Sequence, residues 1–179
     1  MTNTDQKVRA AFATGRNFRS QHFELYRACL SNANDLLYEA DILLKRDRHA
    51  RAYALAFTAA EEIGKALAVA DWIYDQIPEE EFHDVFKKHH IKQTYLESIF
   101  CAAQGEQERD QATLNADLIL RMSALYVDKT DDGSPDAPWD RITKELAVRM
   151  IEKVQEYLGS IMYAEWLNSP RIGGKALLK

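Results

Sequence analysis

The sequence predicts an all-α bundle of four or five helices, and three observations support this prediction. Residues that favour helix (Ala, Leu, Glu, Lys and Arg) dominate the 179-residue chain. The chain has only 7 Gly and 4 Pro, which is too few turn residues for a protein with many strands. Apolar residues recur at helical spacing over several long stretches, and no stretch alternates as a strand does.

The first long helix is predicted from Ser20 to about Lys45, after a polar start. Its apolar residues fall on one stripe: His22, Tyr26, Cys29, Leu30, Ala33, Leu37, Ala40 and Leu44. The basic linker that follows, KRDRH, is short. We therefore expect the next helix to fold back antiparallel against the first.

The second helix, from Arg51 to about Gln76, is apolar on almost every side and yet has three charged residues in its middle. Each such charge is costly unless it is paired or hydrogen-bonded. Glu61 and Lys65 are four residues apart with Glu first, which is the favourable order for an ion pair on one face. Glu62 points about 100° away from Glu61 and needs another partner. The spacing alone is equally compatible with a functional role and with a structural ion pair.

Three further segments complete the bundle. A third helical region is predicted to begin at Pro78–Glu79 and to break near the histidines that follow. A fourth helix is predicted from Gln107 to about Tyr126, and the loop Asp128–Pro138 separates it from the last one. The last helix is predicted from Trp139 or Asp140 to about Asn168.

Length and composition predict one domain over residues 1–179, with a core at about 20–168 and a frayed tail at 169–179. The net charge of −5 argues against a protein that coats nucleic acid without specificity. Cys29 and Cys101 occupy apolar helical positions, as buried cysteines do. Neither a signal peptide nor a membrane span is evident, so we expect a cytoplasmic protein that does not enter a membrane.

Histidines at 83, 89 and 90 first suggest a metal site. Carboxylate metal sites in four-helix bundles need Glu-x-x-His on two helices, whereas this chain has one such match, Glu80 to His83. We therefore predict no metal and no cofactor. His89 and Lys92 are three residues apart and would form a cationic pair able to transfer a proton and hold a phosphate or carboxylate. A polar cap at a helix break explains them equally well.

Arg121, Tyr126 and Asp128 lie where the fourth helix enters the loop. Together they could reach one cleft with a cation, a hydroxyl and a carboxylate. In the alternative interpretation, Arg121 compensates the helix dipole, Tyr126 is a core aromatic and Asp128 begins the loop. The chain has no Gly-x-Ser-x-Gly nucleophile motif and no glycine-rich phosphate loop.

The order of three segments resembles that in AbiV-type abortive-infection proteins of the HEPN superfamily. The segments are AAEEIGKAL at 59–67, His89-x-x-Lys92, and Arg121-x-x-x-LYVD ending at Asp128, and the resemblance covers about Leu36 to Trp166. It implies a HEPN-like up-and-down bundle that forms a homodimer with its cleft at the dimer interface. Many HEPN proteins are metal-independent ribonucleases, and AbiV-like proteins arrest translation in phage-infected cells.

The resemblance also implies roles for residues of this chain. His89 would transfer the proton, while Lys65, Lys92 and Arg121 would hold the phosphate of an RNA substrate. Glu62 would orient one of these cations, and Tyr126 and Asp128 would shape the cleft. The implied partners are a second copy of the chain, RNA or the translation machinery, and a phage or host protein.

One departure from the HEPN pattern leaves a second hypothesis open. Catalytic HEPN ribonucleases have an Arg followed after four to six residues by a His, and the only match here, Arg16 to His22, lies outside the matched segments. After Arg121 the chain has Tyr126, and tyrosine is a poor general base at neutral pH. The second hypothesis is a non-catalytic homodimeric module that acts through a protein partner. A third is a bundle that senses a nucleotide in the same cleft.

Overall fold

The computed structural model describes residues 2–88, 95 and 119–166, with side chains up to residue 163. In these ranges the chain is almost entirely helical, so the all-α prediction is confirmed. The elements, in order, are α1 (Asn3–Phe12), α2 (Ser20–Leu44), α3 (His49–Ile73), α4 (Glu79–Lys87), a helical segment at 119–123, the two-residue strands β1 (Asp128–Lys129) and β2 (Pro135–Asp136), α5 (Pro138–Arg141) and α6 (Lys144–Trp166).

Helix α3 is the centre of the bundle. It packs against α2 along much of its length and also contacts α4, α5 and α6. Its many alanines let neighbouring helices approach closely, and side chains on opposite sides of it, such as Ala54 and Ile63, are both buried. Because only residues 45–48 connect α2 to α3, the two helices run antiparallel, as the short linker predicts.

Predicted and observed boundaries agree closely for α2, α3 and α4. Helix α2 ends at Leu44, one residue before the predicted end, and α3 begins two residues earlier than predicted, at His49. Helix α4 begins at Glu79, directly after Pro78, with three glutamates in its first turn. The predicted break near the histidines at 89 and 90 lies outside the described residues.

Helix α1 was not predicted. Thr2 and Asp5 form a capping box in which each side chain accepts a hydrogen bond from the other residue's backbone N–H. Val8 and Phe12 are buried, and the Phe12 ring meets that of Tyr26 edge to face with centroids 4.9 Å apart. The polar start of the chain is therefore an amphipathic helix packed on the core, which begins before residue 20.

The predicted last helix is two helices, and its predicted start at Trp139 or Asp140 applies only to the short α5. Ile142 is extended and buried between α5 and α6. The Thr143 hydroxyl then accepts a hydrogen bond from the backbone N–H of Leu146 at 3.2 Å and so caps α6. The loop before α5 contains the β1–β2 hairpin, whose turn includes Gly133 at φ +84°. No helix in the described part of the chain has the length and apolar character needed to cross a membrane.

Candidate functional site

A buried ion pair joins α3 to the helical segment 119–123. Nη2 of Arg121 lies 2.9 Å from Oε2 of Glu61, and Nη1 lies 3.3 Å from Oε1, so both ends of the guanidinium face one carboxylate. The Arg121 side chain is 15% exposed and that of Glu61 is 6% exposed. Two parallel contacts of this kind fix the orientation of both groups.

Neighbouring residues of α3 position the guanidinium further. The Thr58 hydroxyl donates to the carbonyl of Ala54 at 2.9 Å, which leaves its oxygen to face Nη2 of Arg121 at 3.5 Å. The Phe57 ring lies 5.5 Å from Cζ of Arg121, a favourable cation–π distance. Nε of Arg121 is buried and has no hydrogen-bond partner among the described residues.

Lys65 pairs with Glu62, not with Glu61 as expected. Its Nζ lies 2.5 Å from Oε1 of Glu62, and the two side chains are 20% and 13% exposed. Residues three and four positions apart both lie close on a helix, so the spacing permits either partner for Lys65. Arg121 decides between them because it engages both oxygens of Glu61. The structure therefore contains two adjacent ion pairs of α3: Glu62 with Lys65 within the helix, and Glu61 with Arg121 of the segment 119–123.

Cys29 of α2 lies close to the second pair. Burial raises the pKa of the Cys29 thiol to about 11; the negative charge of Glu62 adds to this shift and the positive charge of Lys65 opposes it. The thiol is therefore neutral and unreactive at physiological pH. It packs between α2 and α3 as a small apolar side chain, as its position in the sequence predicts.

Tyr126 and Asp128 lie in a different environment from Arg121. They line a cavity of about 450 Å³ beside the β1–β2 hairpin, which we call the hairpin cavity; its other lining residues are Ile119, Met122, Ser123, Val127, Asp136 and Arg141. Arg121 is not among them, since its guanidinium points to α3. The structure thus brings Tyr126 and Asp128 to one cavity and Arg121, Glu62 and Lys65 to α3. His89 and Lys92 lie outside the described residues.

One ion pair at the rim of the hairpin cavity was not predicted from the sequence. Nε of Arg141 donates to Oδ1 of Asp136 at 2.8 Å, and Nη2 of Arg141 contacts Oδ2. These hydrogen bonds, together with the positive charge of Arg141, hold the pKa of Asp136 below its usual value. The pair links β2 to α5 and so fixes one wall of the cavity. Its only signal in the sequence is an Asp and an Arg five residues apart.

Among residues 2–88, 95 and 119–163, no three His, Cys, Asp or Glu side chains lie close enough together to hold a metal ion. His83 pairs instead with Glu79, with Nε2 and Oε1 3.6 Å apart and both side chains exposed. His89 and His90, the other members of the proposed histidine cluster, lie outside the described ranges.

A family model described as AbiV, of the HEPN type, matches residues 21–159. The chain belongs to the AbiV family of HEPN proteins. The match confirms the resemblance drawn from the three segments, and its span includes both ion pairs of α3 and the whole hairpin cavity. Helix α1 lies before it. Neither the curated proteins nor the solved structures contain a significant match to the chain.

Proposed function

We propose that this AbiV-family protein is an abortive-infection effector that acts as a homodimer on RNA or on the translation machinery. The observation that carries the proposal is the family match over residues 21–159, because AbiV-type proteins act in abortive infection. The two ion pairs of α3 support it further. They keep four charged side chains in a mostly buried part of the bundle, where uncompensated charge is costly.

For RNA cleavage, we assign proton transfer to His89 and phosphate binding to Lys65, Lys92 and Arg121. The contact between Glu62 and Lys65 supports this assignment for Lys65, since the carboxylate holds a partly exposed ammonium in one orientation. Arg121 would bind a phosphate only through its remaining donors or after Glu61 moves, because Glu61 occupies both terminal nitrogens. Tyr126 and Asp128 would contact the strand in the hairpin cavity.

The deciding experiment measures RNA integrity in cells that express the protein, and with purified protein in EDTA. The comparison is a His89→Ala/Arg121→Ala variant, with His89→Ala alone as a second variant because loss of Arg121 perturbs a buried pair. Circular dichroism checks the fold of each. Discrete cleavage that survives EDTA and disappears in folded His89→Ala supports a metal-free ribonuclease. Equal cleavage by the folded variants contradicts the site proposed here.

A second candidate function is a non-catalytic homodimeric module that arrests translation through a protein partner. Two observations favour it: Glu61 neutralises Arg121, and no described histidine contacts Arg121. Its signature is arrested growth with intact RNA, together with loss of arrest when Tyr126 or Asp128 is replaced. RNA cleavage by purified protein would exclude it.

A further inference from the structure

A second cavity, of about 280 Å³, lies where the α2–α3 linker meets α5; we call it the linker cavity. Residues 47–51 and Trp139 are among the residues that line it. Val127 lines both this cavity and the hairpin cavity, so the two are neighbours. Of the described residues assigned to RNA cleavage above, none lines the linker cavity.

Trp139 is the most exposed large apolar side chain that the structure describes, with 74% of its surface accessible. Its backbone is nevertheless well fixed, because α5 packs against α3 and Pro138 is buried beside it. An indole exposed to solvent on a fixed backbone lacks the hydrophobic stabilisation that burial usually gives a tryptophan. Its exposed face is available to stack on a planar ligand.

The part of the linker cavity formed by residues 47–51 is basic. Arg48 and Arg51 are exposed, and neither forms an ion pair with a carboxylate in the described part of the chain. Among the described residues that line the cavity, the one acidic residue is Asp47, whose Oδ1 lies 3.5 Å from Nε2 of His49. Two guanidinium groups with no ion-pair partner among the described residues therefore line the same cavity as an exposed indole, although the net charge of the chain is −5.

We propose that the linker cavity binds one nucleotide, with the base stacked on Trp139 and the phosphate held by Arg48 and Arg51. Proteins that bind single strands combine these elements, since every base has a face that can stack and guanidinium groups match phosphate. The volume suits one nucleotide better than a duplex. The inference rests on the proposed function in naming single-stranded RNA as the source of that nucleotide; a free nucleotide has the same chemistry.

The test measures binding of a short fluorescent single-stranded oligoribonucleotide, and separately of adenosine monophosphate, to the full-length protein. The variants are Trp139→Ala, Trp139→Phe and the double variant Arg48→Gln/Arg51→Gln. Matched controls are Tyr38→Ala, which removes another exposed aromatic residue, and Arg149→Gln, which removes another exposed arginine. All of these side chains are exposed, so the fold should persist, and circular dichroism verifies it.

We expect Trp139→Ala to weaken oligoribonucleotide binding about tenfold or more and Trp139→Phe to restore most of it. The double arginine variant should reduce the salt dependence, lowering the slope of log K against log salt by about 0.7 for each lost phosphate contact. Both controls should bind as the unmodified protein does.

The remaining outcomes separate this inference from the proposed function. If RNA binds equally to Trp139→Ala and to the unmodified protein, the linker cavity is not the site, and the proposed action on RNA stands. If adenosine monophosphate binds through Trp139 while RNA does not, the site stands and takes a free nucleotide, and action on RNA fails. Binding of neither probe overturns the inference, while translation arrest in cells still tests the effector function.

Discussion

At the scale of single residues, the contact between Arg121 and Glu61 determines how the segment 121–128 can act. A phosphate that binds both terminal nitrogens of Arg121 must displace a carboxylate already paired with them in a mostly buried environment. The main role of Arg121 in this structure is therefore to connect the segment 119–123 to α3. Binding of a phosphate by Arg121 requires either movement of Glu61 or use of the guanidinium donors that Glu61 leaves.

Replacement of Arg121 by Ala should lower the free energy of unfolding by about 3–5 kcal/mol, because it removes the guanidinium group that contacts both oxygens of the buried Glu61 carboxylate. The double variant Glu61→Leu/Arg121→Met removes both charges at similar volume and should lose much less stability. Urea denaturation followed by circular dichroism measures both. If both variants lose the same free energy of unfolding, the ion pair contributes more to stability than the desolvation of its two charges costs.

Cys29 should resist alkylation by iodoacetamide in the native protein at about pH 8, since only the thiolate reacts and burial raises its pKa to about 11. The pKa of the thiol in the folded state lies above its ordinary value of 9.0, so the thiol's contribution to stability is complete below pH 9.0 and is lost as the pH rises towards about 11. Mass spectrometry of a Cys101→Ser protein isolates this residue. Rapid native labelling at about pH 8, as fast as in denaturant, would contradict the burial of Cys29.

At the scale of elements, the connection between α1 and α2 closes over the C-terminus of α3. The backbone N–H of Asn17 donates to the carbonyl of Ile73 at 3.1 Å, and its side-chain amide donates to that of Trp72 at 3.0 Å. The Trp72 carbonyl also accepts a hydrogen bond from the backbone N–H of Asp75 at 3.1 Å, so Asn17 is a second donor to it and binds the Ile73 carbonyl at the end of α3. Gly15 lies directly above Ile73, where a Cβ would stand 2.6 Å from the Ile73 carbonyl oxygen.

Gly15→Ala should therefore destabilise the protein by about 2 kcal/mol or more, because the clash is with backbone and moves α1 away from α3. The matched control is Gly159→Ala on α6, where the added methyl group meets nothing within 4 Å. That substitution should stabilise by about 0.5–1 kcal/mol, since alanine favours helix over glycine. Thermal unfolding measures the stability of both variants. If Gly15→Ala leaves stability unchanged, the connection between α1 and α2 can shift to accommodate the methyl group at little cost.

The helices that the sequence predicted correctly are those whose apolar stripe spans many turns, notably α2 and α3. Short elements depend on local contacts that periodicity does not report. Helix α1 is ten residues long and begins at a capping box, whereas α5 ends because Ile142 turns inward. Lys65 illustrates the same limit within the site: its two potential partners lie three and four residues before it, both within reach on a helix, and the tertiary position of Arg121 selects Glu62.

At the scale of the whole molecule, exposed apolar residues are concentrated beside the hairpin. Ile119, Tyr126 and Val127 are each 61% exposed and Met122 is 47% exposed, and all four line the hairpin cavity. Contiguous apolar surface of this kind marks interaction sites. Because the proposed partner is a second copy of the chain, this surface is the part of the described structure best suited to the dimer interface.

The double variant Ile119→Glu/Met122→Glu should convert the protein from dimer to monomer, because a two-fold interface brings the new charges of both copies close together. Tyr38→Glu is the control, since Tyr38 is 67% exposed on α2 and does not line the hairpin cavity. Sedimentation velocity over a range of protein concentrations gives the mass of each protein. If only the control variant dissociates, the dimer interface lies on α2 and not beside the hairpin. If the unmodified protein is monomeric at every concentration, the homodimer proposal is contradicted. A dimer that survives both changes would leave the apolar surface for another partner, as the non-catalytic hypothesis requires.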